Sequence, residues 1–357
     1  MRKTFLYITI LAALALCIWF FIFRKTDNPY GATEAGFTVK DTSLVGKLFL
    51  AGNSGETITV ERKPEGWILN GKYKALPGTV NMVLATLNTQ AALYPVTKAA
   101  YDNVIKVLST ENIKVEVYGR DGKKITVFYV GGTAASGNGT NMLMEGAKMP
   151  YVLQTPAFNG DLRPRYSTNF GDWRDPTVFN IAPADMRSIS VQYSDKDKAI
   201  NSYVASVEKD TFKVKADPSI SKNMDTLNTG RVKQYFTFFQ NINCEGYMNG
   251  LEGMDSTIRN TQKRCEMEVT TVQGKQHLDI YWMPLNRRSR NRLVSDEDVP
   301  DQYDADRMLA VISGDTLLIQ NQTFRKLMRK SYEFYQKDAP HAPQQYKQPK
   351  NVLIHKN

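Results

Sequence analysis

Residues 114–130, KVEVYGRDGKKITVFYV, return 152 positions later as residues 266–282, EMEVTTVQGKQHLDIYW. A self-match of this kind confines the chain to folds in which one unit recurs, because the repeating positions are those that packing and turns require. At that offset Glu116, Val117, Gly122, Lys123 and Tyr129 coincide with Glu268, Val269, Gly274, Lys275 and Tyr281. Both stretches alternate apolar and polar residues about Asp121-Gly122 or Gln273-Gly274, which predicts a hairpin with positive φ at its turn. The return strands are expected to bury Phe128 and Val130 in one copy, and Ile280 and Trp282 in the other.

Upstream, Val80, Leu84 and Leu87 match Val232, Phe236 and Phe239. That i, i+4, i+7 spacing predicts an amphipathic helix before each hairpin. Tyr101, Val104, Ile105 and Leu108 predict a second helix in the first copy. Downstream the offset grows to 166, pairing Met142-Leu143 with Met308-Leu309, Gln154 with Gln320, Phe158 with Phe324, Arg163 with Arg329 and Tyr166 with Tyr332. The difference is an insertion in the second copy, within the Arg-rich and then Asp-rich stretch 285–306. The expected fold class is therefore α+β: two tandem copies of a strand-helix-hairpin-strand module, residues 46–170 and 188–336, after a single N-terminal transmembrane helix. Pro and Asp mark 171–187 as a connector, and 337–357 reads as a disordered tail.

Thr4 to Phe23 is an uncharged run of 20 residues, which as a helix spans about 30 Å, the thickness of a bilayer core. A cleaved signal peptide is the alternative. The run, however, ends in Phe20-Phe21-Ile22-Phe23-Arg24-Lys25 and not in a small-residue cleavage site. Residues 1–25 are thus read as an uncleaved anchor and 26–45 as a linker. Arg2 and Lys3 face Arg24 and Lys25 across the run, so charge alone barely orients it. A short N-terminus feeding a long body places that body in the periplasm, on a single-pass inner-membrane protein. Beyond Cys17 only Cys244 and Cys265 remain. An oxidising compartment would let them form a disulfide, and the alternative is a pair of buried thiols, since Cys265 falls where the first copy has Ile113.

The formal charge is +10, from 46 Lys and Arg against 36 Asp and Glu. This suits an anionic partner such as an acidic glycan or lipid. It is spread thinly: Arg287, Arg288, Arg290 and Arg292 are followed at once by Asp296, Glu297, Asp298, Asp301, Asp304 and Asp306. No basic stripe is interleaved with aromatics, so nucleic acid is not an expected partner. The acidic run lacks the glycine and spacing of a Ca²⁺ loop. GGTAASGNGT, residues 131–140, lacks the Lys-Ser/Thr ending of a phosphate loop and reads as an inter-strand connection. With only His277, His341 and His355, neither a nucleophilic triad nor a metal-ligand spacing can be assembled. No catalytic residue, cofactor or metal is expected. Trp173, Arg174 and Asp175, at the junction of the copies, are a candidate partner or ligand surface, with a local ion pair beside a packed indole as the alternative.

Three stretches carry a family likeness: WILNGKYKALPGTVNMVLATL (67–87), residues 114–153, and DWRDPTVFNIAPADMRSISV (172–191). Together they resemble the bacterial domain-of-unknown-function 4340 family, of a Bacteroidota-like kind, most strongly over 55–195 and more weakly over 196–335. The resemblance implies a membrane-tethered extracytoplasmic protein of repeated α+β units, associated with ABC-type export systems and auxiliary components of the gliding-motility type. It carries no catalytic residue across. The expected function is a non-catalytic scaffold or accessory protein of such an envelope system, partnered by an ABC-type transporter component. The alternative is a binding module for an acidic glycan or lipid, and third in rank is a carboxylate-based envelope hydrolase, whose partners can lie far apart in a chain.

Overall fold

The computed structural model describes residues 36–156, 158–195, 198–219, 226–287, 289 and 299–335. The expected anchor with Cys17, the first half of the linker, and the tail with His341 and His355 lie outside them. Among the described residues no helix is long and apolar enough to cross a membrane. The chain divides into two compact units after Asp175. The stretch 171–187 supplies ordered elements to both, among them the first strand of unit 2.

Unit 1 is built on β1 (Val45–Gly52), β2 (Thr57–Lys63), β3 (Gly66–Leu69), β4 (Tyr73–Lys74), β5 (Ala91–Pro95), β6 (Ile113–Gly119), β7 (Lys124–Thr133), β8 (Thr140–Met144) and β9 (Tyr151–Gln154). They form one nine-stranded sheet in the order β4-β3-β2-β1-β6-β7-β8-β9-β5, and every pairing is antiparallel. Helix α1 (Pro77–Thr89) starts with proline at its first position, where no N–H is needed. It buries Val80, Val83, Leu84 and Leu87 against one face of the sheet, on Phe128, Val130, Tyr151 and Leu153. Helix α2 (Lys98–Thr110) covers the other face with Val104 and Leu108, against Val152, Tyr129 and Leu143. Alternation along β7 and β9 thus divides their side chains between two helices. The short α3 (Phe170–Trp173) ends the unit.

Unit 2 contains β10 (Thr177–Phe179), β11 (Met186–Tyr193), β12 (Tyr203–Glu208), β13 (Thr211–Ala216), α4 (Thr229–Phe236), β14 (Ile242–Asn243), β15 (Gly246–Tyr247), α5 (Met254–Asn260), β16 (Lys263–Thr271), β17 (Gly274–Pro284), β18 (Tyr303–Ile312), β19 (Asp315–Gln320) and α6 (Asn321–Arg325). Apart from a β10-β14 pair, its strands form an eight-stranded sheet, β13-β12-β11-β16-β17-β18-β19-β15. Removing β4 from unit 1 leaves this same order, strand for strand. Val232, Tyr235 and Phe236 of α4 pack on it, together with Phe239, Ile280 and Phe324.

The expected α+β module is overturned: each unit is mainly antiparallel sheet, and among the described residues only α1, α2 and α4 reach eight residues. The physical reason lies in strands such as β13, TFKVKA, which are polar on alternate residues and end in short turns. Their period-2 signal is weaker than that of an amphipathic helix. The 152-residue match also slips in the return strand. Val130 lies opposite Ile113, yet Ile280 and not Trp282 lies opposite Cys265. Unit 1 connects its strands through residues 120–123 and carries a bulge beside Ile125, whereas unit 2 turns through Val272-Gln273 alone. The turn glycines do fall where positive φ is needed, at +77° for Gly122 and +142° for Gly274.

Candidate functional site: a cationic cleft in unit 2

A cavity of about 260 Å³ opens in unit 2 where the end of β11, the turn after it, the start of β16, the end of β17 and the segment following α6 converge. Lys198, Arg264, Arg325, Arg329 and Lys330 line it against two carboxylates, Asp195 and Glu333. Five cations facing two anions, in a concave site that limits solvent screening, make a field that attracts negative charge.

Each wall is fixed by local bonding. The Tyr193 hydroxyl lies 2.9 Å from the backbone carbonyls of both Met328 and Arg329, tying the C-terminal segment to β11. Burial holds that phenol well above its usual range, so it remains a neutral donor. Ser331 Oγ donates to the Ile200 carbonyl at 3.2 Å and pins the same segment to the turn that carries Lys198. Arg264 donates to Asn321 Oδ1 at 3.2 Å, reaches Met308 Sδ at 3.1 Å, and lies 4.3 Å from the centroid of Trp282. Buried Asn321 is itself oriented by donating to the Ala305 carbonyl at 2.9 Å. The ammonium of Lys198 sits 5.9 Å from the Trp282 ring, and that ring stacks on Tyr303 at 5.8 Å. Neither Arg264 nor Lys198 has a carboxylate partner among the described residues. Arg329 does: it pairs with Glu333 at 2.7 Å, whose other oxygen accepts the Lys330 N–H at 2.9 Å. Glu333 is thus an internal anion seated in the cleft.

The matching positions of unit 1 are bonded differently. There Arg163, the sequence match of Arg329, donates to the Gly131 carbonyl at 3.3 Å. Asp161 accepts from Thr140 and Thr133 at 2.7 and 3.1 Å, closing the glycine loop of 131–140 onto β8. That loop is the expected strand connection, between β7 and β8. Tyr166, the match of the cleft-lining Tyr332, is fully buried and donates to Gln90 Oε1 at 2.6 Å.

The residues singled out from sequence lie elsewhere. Trp173 is fully buried in unit 1 and donates to the Ser167 carbonyl at 2.7 Å, while the Arg174 guanidinium lies 4.0 Å from the Tyr73 ring centroid. The Asp175 N–H donates to the Lys74 carbonyl at 3.0 Å. The indole is packed in the core, and Arg174 is only 7% exposed. Cys265 is a free thiol, so it is not bonded to Cys244, and both residues are buried in the core of unit 2. Cys265 occupies a core position like that of Ile113, and burial pushes its thiol up to about 12. Glu266, His277 and Asp279 converge with ligand atoms within 4.8 Å of one another, but Lys263 stands at 2.7 and 3.0 Å from the two carboxylates and already supplies the cation. A wider cavity of about 520 Å³ between α4 and the β12–β13 hairpin balances Arg187, Lys209 and Lys233 against Glu208 and Asp210.

The sequence did hold a signal for the cleft, in positions where the copies differ. Arg264 stands at the place of Asn112, and Trp282 at that of Val130. Comparison with protein-family models, with curated proteins and with solved structures finds no match to this chain.

Proposed function

We propose that this chain is a non-catalytic, membrane-tethered extracytoplasmic binding protein whose unit 2 takes up an anionic group, in an accessory role to an ABC-type envelope system. The observation that carries the binding reading is the cleft, where Arg264 and Lys198 line a concave space and neither is paired with a carboxylate among the described residues. Keeping two cations there without a carboxylate costs electrostatic free energy that an incoming anion recovers. The apolar run 4–23 supports the tether, and the family resemblance supports the envelope setting. Catalysis by a carboxylate pair is disfavoured at this site because both oxygens of Glu333 are engaged by Arg329 and the Lys330 N–H.

The test is calorimetric titration of the purified full chain in detergent micelles with glucose 6-phosphate, glucuronate and glucose. The anionic sugars should bind and glucose should not, and binding should weaken as salt is raised. Absence of binding by both anions at low salt would remove the binding reading. The accessory role is tested separately by in-cell crosslinking, where enrichment of transporter subunits over an anchor-only control is the expected result and no enrichment refutes it.

A further inference from the structure

The cleft's charge and shape narrow its ligand. A carboxylate is planar, carries one negative charge, and one guanidinium fork satisfies both of its oxygens. The cleft offers more than that. Among the described residues Lys198 and Arg264 are two cations without an acid partner, and they line the space from separate segments, one on the turn after β11 and the other on β16. Arg329 belongs to a third segment, the one that follows α6. Cations supplied by three separate segments fit an anion with several oxygens, and two cations with no carboxylate partner among the described residues fit a dianion. A phosphomonoester has both properties, with a charge of about −1.5 to −2 at neutral pH and three terminal oxygens.

Size points the same way. A cavity of about 260 Å³ is at or below the lower end of ligand sites, which run from about 300 Å³ upward. It holds a phosphate with a small substituent and admits a longer molecule only by its end. Resting on the reading of the cleft as an anion site, we propose that its ligand is a terminal phosphomonoester, held by Arg264 and Lys198, with Arg329 exchanging Glu333 for a phosphate oxygen. Glu333 is then a built-in competitor, holding Arg329 at 2.7 Å until the phosphate arrives.

The same chemistry occurs on a soluble metabolite and on a lipid headgroup, and two arms separate them. In the first arm, the full chain in detergent is titrated with glycerol 3-phosphate, inorganic phosphate and glucuronate. In the second, the detergent-solubilised chain is floated with phosphatidylcholine vesicles with and without phosphatidic acid. Tighter binding of glycerol 3-phosphate than of glucuronate, by about tenfold or more, is expected. Flotation that requires phosphatidic acid assigns the lipid, and its absence with soluble binding retained assigns the free ester. Arg264→Gln and Lys198→Gln should each weaken phosphate binding about tenfold, whereas Glu333→Gln, which keeps the acceptor for the Lys330 N–H, should strengthen it. Arg264 touches core residues, so Lys198→Gln and Glu333→Gln decide the matter if that variant unfolds. Glucuronate binding as tightly as glycerol 3-phosphate overturns the phosphomonoester while sparing the anion site. No binding of any anion overturns both.

Discussion

The sharpest structural test concerns Gln90, which is wholly buried in unit 1. Its Nε2 donates to the Phe37 carbonyl at 2.8 Å, and its Oε1 accepts from Tyr166 at 2.6 Å. Methionine nearly matches glutamine in volume but replaces neither bond, so Gln90→Met leaves the Phe37 carbonyl and the Tyr166 hydroxyl without partners in a dry core. At about 1–3 kcal/mol for each orphaned group, the cost is about 2–6 kcal/mol. Tyr166→Phe alone orphans only Gln90 Oε1, for about 1–3 kcal/mol. The double variant orphans the Phe37 carbonyl alone, so it should be more stable than Gln90→Met by about 1–3 kcal/mol, although it carries one substitution more. Urea denaturation of the full chain measures the differences, and hydrogen exchange read by mass spectrometry assigns them to unit 1 peptides. If the double variant loses the sum of the two single losses, the bond between Tyr166 and Gln90 is not what stabilises this core.

Two further outcomes follow from buried groups. The thiol of Cys265 is raised from 9.0 to about 12 by burial, so the fold favours its neutral form. The stability this contributes is complete below about 9 and is lost as pH climbs from there toward about 12. Wild type should therefore lose more stability than Cys265→Ala between neutral and strongly alkaline pH, and parallel losses would refute the assignment. Thr126 Oγ1 is the single buried side-chain polar atom without a hydrogen-bond partner among the described residues. Thr126→Val should raise the urea midpoint, by about 1 kcal/mol of stability, and a lowered midpoint would show that the hydroxyl has a partner in solution.

What the sequence made legible was whatever a second copy has to preserve. Val80, Leu84 and Leu87 are buried in α1, Val232 and Phe236 in α4, and the turn glycines have positive φ. These depend on local periodicity and backbone geometry, which survive in a one-dimensional string. The strand content was underread because β11 alternates buried with more exposed residues, and β13 half-buried with exposed ones, without an apolar run, so only their neighbours in the sheet identify them. The cleft was missed for a related reason. Self-comparison rewards identity, and Arg264, Trp282 and Lys198 are where the second copy departs from the first. Arg329 was matched to Arg163 and read as structural, although one lines an opening and the other bonds to a loop carbonyl.

The placement of β5 bears on how such a chain could arise and fold. This strand precedes β6 in sequence but pairs with β9, the last strand of its sheet, Ala91 facing Gln154. In unit 2, β15 likewise precedes β16 and pairs with β19. A ribosome must therefore release the entire span before that edge can close, and a nascent chain halted ahead of β9 would hold β5 with no neighbour. Half a unit is not a smaller protein. A tandem copy of anything shorter than this span would have carried an open edge, which invites pairing between molecules, so the unit of inheritance here is as long as its slowest contact.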